Sequence, residues 1–127
     1  MEMKTAVILV GHGSPDGPAN DLLLQVARLV QQRGCCSAVS AAYLIQGRPT
    51  VSEAIDDWQA GGVRRLVLCP FFLFPGRHVR RDLPALAAAA RNRYPELEVL
   101  VAEPLGLHPK LVDIVCERLA AVMAQGA

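Results

Sequence analysis

The sequence predicts an α/β fold: a doubly wound, four-stranded parallel sheet, taken in the common order 2-1-3-4, with helices on both faces. Two observations carry the architecture. Short apolar runs alternate four times with longer amphipathic stretches along the 127 residues. The strand runs are continuously apolar, the pattern of strands buried on both faces, and the intervening stretches are long enough to hold crossover helices. The crossovers are expected to be right-handed.

Each element follows from local residues. Thr5–Val10 reads as the first strand. Pro18 opens a helix to about Arg33, with Leu22, Leu23, Val26, Leu29 and Val30 as its apolar stripe and Gly34 as its stop. Ala38–Leu44 is the second strand. Thr50 begins the second helix, which runs to about Ala60 and ends at Gly61-Gly62; Thr50 and Glu53 have capping-box spacing. Arg65–Phe72 is the third strand. The third helix is expected to start at or near Asp82, with Pro84 in its first turn and the alanine run Ala87–Ala90 as helix filler. Tyr94-Pro95 closes it. Glu98–Ala102 is the fourth strand. His108-Pro109 opens the last helix, whose expected buried face is Leu111, Ile114, Val115 and Leu119.

Composition bounds the function. Residues 1–127 are expected to form one domain. Net charge is +1, which gives no general affinity for nucleic acid. No uncharged run is long enough to span a bilayer, and Met1-Glu2-Met3-Lys4 lacks a signal-peptide layout, so a cytoplasmic protein without a membrane partner is expected. Cys35, Cys36, Cys69 and Cys116 form no C-x-x-C pair. Cys69 and Cys116 read as small hydrophobes inside elements, and Cys35-Cys36 as an exposed turn of reduced thiols.

Two of the three histidines stand out. His12 lies in Gly11-His12-Gly13-Ser14 after the first strand, and His78 in Pro75-Gly76-Arg77-His78 after the third. In the order 2-1-3-4 these strands are neighbours, and the switch point between them is where open parallel sheets bind ligands. Neutral imidazole binds borderline metals and moves protons near neutral pH. Gly11 and Gly13 are expected to let backbone approach a ligand, and Ser14 adds a hydroxyl. The segment is no P-loop, and Pro15 and Pro18 remove amide donors. Arg48, Arg77, Arg80 and Arg81 point to a small anion, and Leu73 and Phe74 to a wall for a flat apolar ligand. Glu103 leaves the fourth strand as a supporting acceptor or a base, while His108 reads as structural.

Three motifs together resemble a known family. They are strand-G-H-G-S; Pro70-Phe71-Phe72-Leu73-Phe74-Pro75-Gly76-Arg77-His78 followed by Asp82-Leu83-Pro84; and Glu103-Pro104-Leu105-Gly106-Leu107-His108-Pro109-Lys110-Leu111. They look like the small class-II chelatases of the CbiX and SirB group. The resemblance implies a chelatase-like fold and ATP-independent insertion of cobalt, iron or nickel into sirohydrochlorin, in cobalamin or siroheme biosynthesis. It implies that His12 and His78 handle the metal, and that Ser14, Arg48, Leu73, Phe74, Gly76, Arg77, Arg80 and Arg81 meet the macrocycle. Short members are expected to pair as homodimers that complete the cleft. One departure stands out: many relatives carry Ala-Phe-Leu-Glu after the second strand, whereas this chain has Ala42-Tyr43-Leu44-Ile45-Gln46. Two other readings compete. A non-enzymatic cobalt or nickel carrier would use the same histidines without needing an apolar wall. A histidine phosphatase would need Arg-His-Gly, and Gly11 stands in the arginine's place.

Overall fold

The structure, a computed structural model, describes residues 4–74 and 76–126; the side chain of His78 lies outside the described residues. The elements run β1 (Thr5–Gly13), α1 (Gly17–Gln32), β2 (Val39–Gln46), α2 (Val51–Ala60), β3 (Arg65–Pro70), α3 (Arg77–Arg93), β4 (Glu98–Val101) and α4 (Pro109–Gln125). All strand pairs are parallel, and the order is β2-β1-β3-β4, as the sequence predicts. Val7 of β1 stands opposite Val39 of β2 and Val67 of β3, which makes β1 and β3 direct neighbours.

Alternation along β1 builds two cores. Ala6, Ile8 and Val10 point to one face, where they meet Val51 and Ile55 of α2, Leu83 and Ala87 of α3, and Leu66 and Leu68 of β3. Val7 and Leu9 point to the other, where Leu23 and Ala27 of α1 cover Ala41 and Tyr43. Ala87 and Ala90 are fully buried. The alanine run is therefore more than filler: small side chains let α3 sit close to the sheet. On α1, Leu23 and Ala27 are buried and Val26 and Val30 pack beside them, but the expected stripe is too wide, because Leu22 and Leu29 stay exposed.

Several boundaries differ from expectation, each for a local reason. β1 does not stop at Val10. It continues through His12, because pairing resumes at Gly13 opposite Gln46 after an irregularity between Gly11 and Gly13. β2 likewise runs on to Gln46, and β3 ends at Pro70, two residues early. α3 starts at Arg77 instead of near Asp82, capped by Gly76. Pro84 thus lies inside the helix, at the cost of the amide that would reach the Arg80 carbonyl. The Thr50–Glu53 capping box forms in full: Thr50 Oγ1 accepts from the Glu53 amide and the Glu53 carboxylate accepts from the Thr50 amide.

The largest difference is α4. Its expected buried face is exposed: α4 contains no buried residue, and Ile114, Val115 and Leu119 are all open to solvent. Cys116, expected as a small buried hydrophobe, is exposed too. Cys69 does pack under α1, and burial pushes its thiol pKa up. Cys36 is half-buried and donates to the Thr5 and Ala38 carbonyls, so only Cys35 of the vicinal pair is fully exposed. No described helix is long and apolar enough to cross a membrane.

Candidate active site

The carboxyl ends of the four strands bring the motif residues to one end of the sheet. His12 is exposed near the end of β1, the strand between β2 and β3. Its ring stands edge-on to Phe72, with centroids 6.2 Å apart and planes at 87°. Phe72 follows β3, and its carbonyl accepts from the Leu105 amide at 3.0 Å, which ties the loop after β4 to the same place. Exposed apolar side chains mark this end: Ile45 (67% exposed) at the end of β2, Phe74 (83%) with Leu73 after β3, and Leu107 (90%) with Leu105 after β4.

The glycines of Gly11-His12-Gly13 serve the fold more than a ligand. A Cβ on Gly11 would fall 2.7 Å from Leu23 Cδ2. One on Gly13, whose φ is +100°, would fall 2.0 Å from the Gln46 carbonyl oxygen. Close approach to α1 and β2 therefore fixes both positions. Ser14 is also committed in part: its Oγ accepts from the Asp16 amide at 3.1 Å, bracing the start of α1.

Sequence reasoning missed Asn20 and Tyr43. Asn20 Oδ1 accepts from the Ser14 amide at 3.0 Å, while its Nδ2 donates to the Ser14 carbonyl at 2.9 Å and to the Gln46 carbonyl at 3.4 Å. Tyr43 Oη donates to the Asn20 carbonyl at 2.6 Å. One helical side chain thus clamps the loops after β1 and β2 together. The only signal in the sequence was an Asn one turn into a helix that follows G-H-G-S.

The charged candidates divide. Arg48 pairs with Glu53 across the start of α2. Hydrogen bonding from the Thr50 amide, reinforced by Arg48, holds the Glu53 carboxyl below its usual pKa. Arg77 and Arg80 are exposed in the first turn of α3, with Arg81 next in sequence and exposed as well. Arg80 and Glu103 line a common cavity of about 190 Å³ with Pro70, Leu83 and Pro104. His78 lies in the first turn of α3, not in a loop. His108 caps α4, its Nδ1 accepting from the Lys110 amide at 3.1 Å, in the structural role expected. Among the described residues no group of three or more His, Cys, Asp or Glu stands close enough to hold a metal. Two larger hollows, of about 750 and 400 Å³, lie at the amino ends of the strands, near Cys36 and Trp58 and near Arg64 and Tyr94, and another of about 470 Å³ is lined by Arg48, Pro49 and Glu53 at the start of α2.

A family model described as CbiX matches residues 6–122. The chain belongs to the CbiX family. Among curated relatives, the chloroplastic sirohydrochlorin ferrochelatase of Arabidopsis thaliana is 33% identical over 113 residues, which cover 89% of this chain and 50% of that protein. The sirohydrochlorin cobaltochelatase of Methanopyrus kandleri is 29% identical over 140 residues, covering 94% and 98%. This CbiX chain therefore spans about half the length of some relatives and nearly all of others. Its fold matches that of the sirohydrochlorin chelatase SirB from Bacillus subtilis subspecies spizizenii in complex with cobalt, at TM-score 0.87 and 23% identity, over 94% of this chain and 51% of SirB. A CbiX protein from Marinobacter aquaeolei VT8 matches at TM-score 0.81 and 23% identity, over 95% and 98%.

Proposed function

We propose that this CbiX chain inserts a divalent metal (cobalt, iron or nickel) into sirohydrochlorin without a nucleotide. The observation that carries the reading is the exposed imidazole of His12 at a sheet end marked by exposed Ile45, Phe74 and Leu107. An apolar platform beside a metal-binding side chain suits a flat macrocycle better than a bare ion, which sets a chelatase apart from a metal carrier. The macrocycle must release two N–H protons as the ion enters and sheds its waters. His12 holds the ion or accepts a proton, and His78 in the first turn of α3 takes the complementary part. Arg77, Arg80 and Arg81 meet carboxylates at the macrocycle's edge. With Ile45 where many relatives have an acid, the histidines carry more of the proton traffic, with Glu103, after β4 and in one cavity with Arg80, as an alternative base. A homodimer completes the cleft: the chain matches only half of SirB, and a second copy supplies the other half.

The test is anaerobic incubation with sirohydrochlorin and cobalt(II) or iron(II), following loss of the metal-free absorption bands. His12→Ala and His78→Ala should each slow insertion at least a hundredfold without loss of fold. Unchanged rates in both variants would overturn the site assignment. Cobalt binding by calorimetry with no sirohydrochlorin binding would identify a carrier instead.

A further inference from the structure

The contact between His12 and Phe72 continues the pairing of β1 with β3. Ile8 and Val10 lie on the face that α2 and α3 cover, opposite Leu68 and Pro70 of β3. The Phe71 amide donates to the Val10 carbonyl at 2.8 Å, so the two strands stay together past that last pair. Two residues further on, His12 and Phe72 meet edge-on, with ring centroids 6.2 Å apart. Phe72 is the fixed member. Its half-buried side chain packs against the core below, and its carbonyl accepts from the Leu105 amide at 3.0 Å. His12 is the loose one. It is exposed, and among the described residues the Phe72 contact is the one interaction its ring makes. The hydrogen bonds of Asn20 hold the backbone beyond His12 and do not reach the imidazole.

We propose that Phe72 is a positioning residue for metal insertion: it orients the His12 imidazole by ring packing, where a metal-ligating histidine ordinarily leans on a hydrogen bond. The proposal rests on the chelatase reading and says how such a site can let its metal go. A carboxylate or carbonyl that accepts the second ring N–H of a ligating histidine does two things. It fixes the ring, and it makes the imidazole a stronger ligand, with roughly 10–100-fold of metal affinity at stake. An aromatic edge contact does the first, biasing the ring's orientation by roughly two- to tenfold. It offers no lone pair to the N–H, so it leaves ligand strength as it was. That separation suits an ion that is a substrate. An ion held tightly before transfer sits in a well that insertion must climb out of, because binding the ground state does not lower the barrier. A resident metal would be better served by the hydrogen bond.

The test compares Phe72→Leu, which keeps the apolar filling and loses the ring, with Phe72→Tyr, which keeps the ring. Both are made in the full chain. In the anaerobic insertion assay Phe72→Leu should lower kcat roughly tenfold with KM for sirohydrochlorin within about twofold, and Phe72→Tyr should recover about half of the wild-type kcat or more. A wild-type kcat in Phe72→Leu would overturn the proposal, and so would losses in both variants that simply follow their loss of Tm. Phe72→Gln supplies an amide oxygen in place of the ring. Its cobalt(II) binding without the macrocycle, by calorimetry, should be roughly tenfold tighter than wild type, with insertion slower. Binding no tighter in a folded Phe72→Gln contradicts the release argument. One measurement needs no variant to fold. With only three histidines and three phenylalanines in the chain, the ring protons can be assigned, and nuclear Overhauser effects should join His12 to Phe72 in the wild-type protein. Their absence overturns the contact itself. A wild type that inserts no metal sinks the chelatase reading and this proposal with it, whereas active wild type matched by Phe72→Leu sinks this proposal alone.

Discussion

The Asn20 side chain holds His12 in place through its neighbours. Three hydrogen bonds from one amide join Ser14 to Gln46, and Tyr43 Oη fixes the backbone of Asn20 itself. Removing that amide leaves the Ser14 amide and carbonyl without their partner, a loss of about 1–2 kcal/mol. Asn20→Ala should therefore lower stability by that amount in urea denaturation. It should also reduce the turnover of metal insertion more than it raises KM, because it loosens the strand end that presents His12. Asn20→Asp keeps the acceptor for the Ser14 amide and should recover part of both. Tyr43 adds a pH signature. Burial, then the charge of Asp21, raises its phenol pKa. A phenol raised in the folded state stabilises the fold fully below its unfolded value of about 10, and that stability is lost as pH rises through the folded value. Tyr43→Phe should flatten this alkaline loss in a series of denaturation curves. His12 was legible because G-H-G-S is local. Asn20 was not, because its partners lie 6 residues back and 26 residues ahead, and no local pattern marks such a reach.

Elements were legible wherever their ends are written in adjacent residues. Thr50 and Glu53 announce the start of α2, and both reciprocal bonds form. Thr50→Ala should cost about 1 kcal/mol by chemical denaturation. The Glu53 carboxyl is held low by the Thr50 amide and by Arg48. A depressed carboxyl contributes stability above its unfolded pKa of about 4.3, and this contribution disappears as pH falls through the lower folded value. Glu53→Gln should remove that part of the acid dependence, and an unchanged acid limb would contradict it. Elements were misread where a strong local signal met a stronger tertiary one. Pro84 suggested a helix start, yet the burial of Val79 and Leu83 against the sheet carries α3 back to Arg77. Gly11 and Gly13 suggested a turn, yet β2 pairs with Gly13 and extends β1 past His12.

At the scale of the molecule, the alternation of apolar runs with helical stretches made the parallel sheet legible but not its strand order, which was taken as the common doubly wound one and is the order found. The partner of α4 was not legible either. Periodicity shows that a helix has an apolar side but not whose sheet covers it, and Val115 and Leu119 satisfy the pattern equally on their own sheet or on a second copy. If the second copy is the partner, folding and pairing are linked, and stability must follow mass action. At roughly 0.7 kcal/mol of unfolding enthalpy per residue, a pair of these chains has an enthalpy on the order of 180 kcal/mol. Unfolding to two separate chains then shifts Tm upward by about 3 °C for each tenfold increase in protein concentration. Calorimetric scans over a hundredfold range should show that slope, and Val115→Glu should abolish it while lowering Tm at every concentration. A wild-type Tm independent of concentration would mean that α4 finds its cover within one chain.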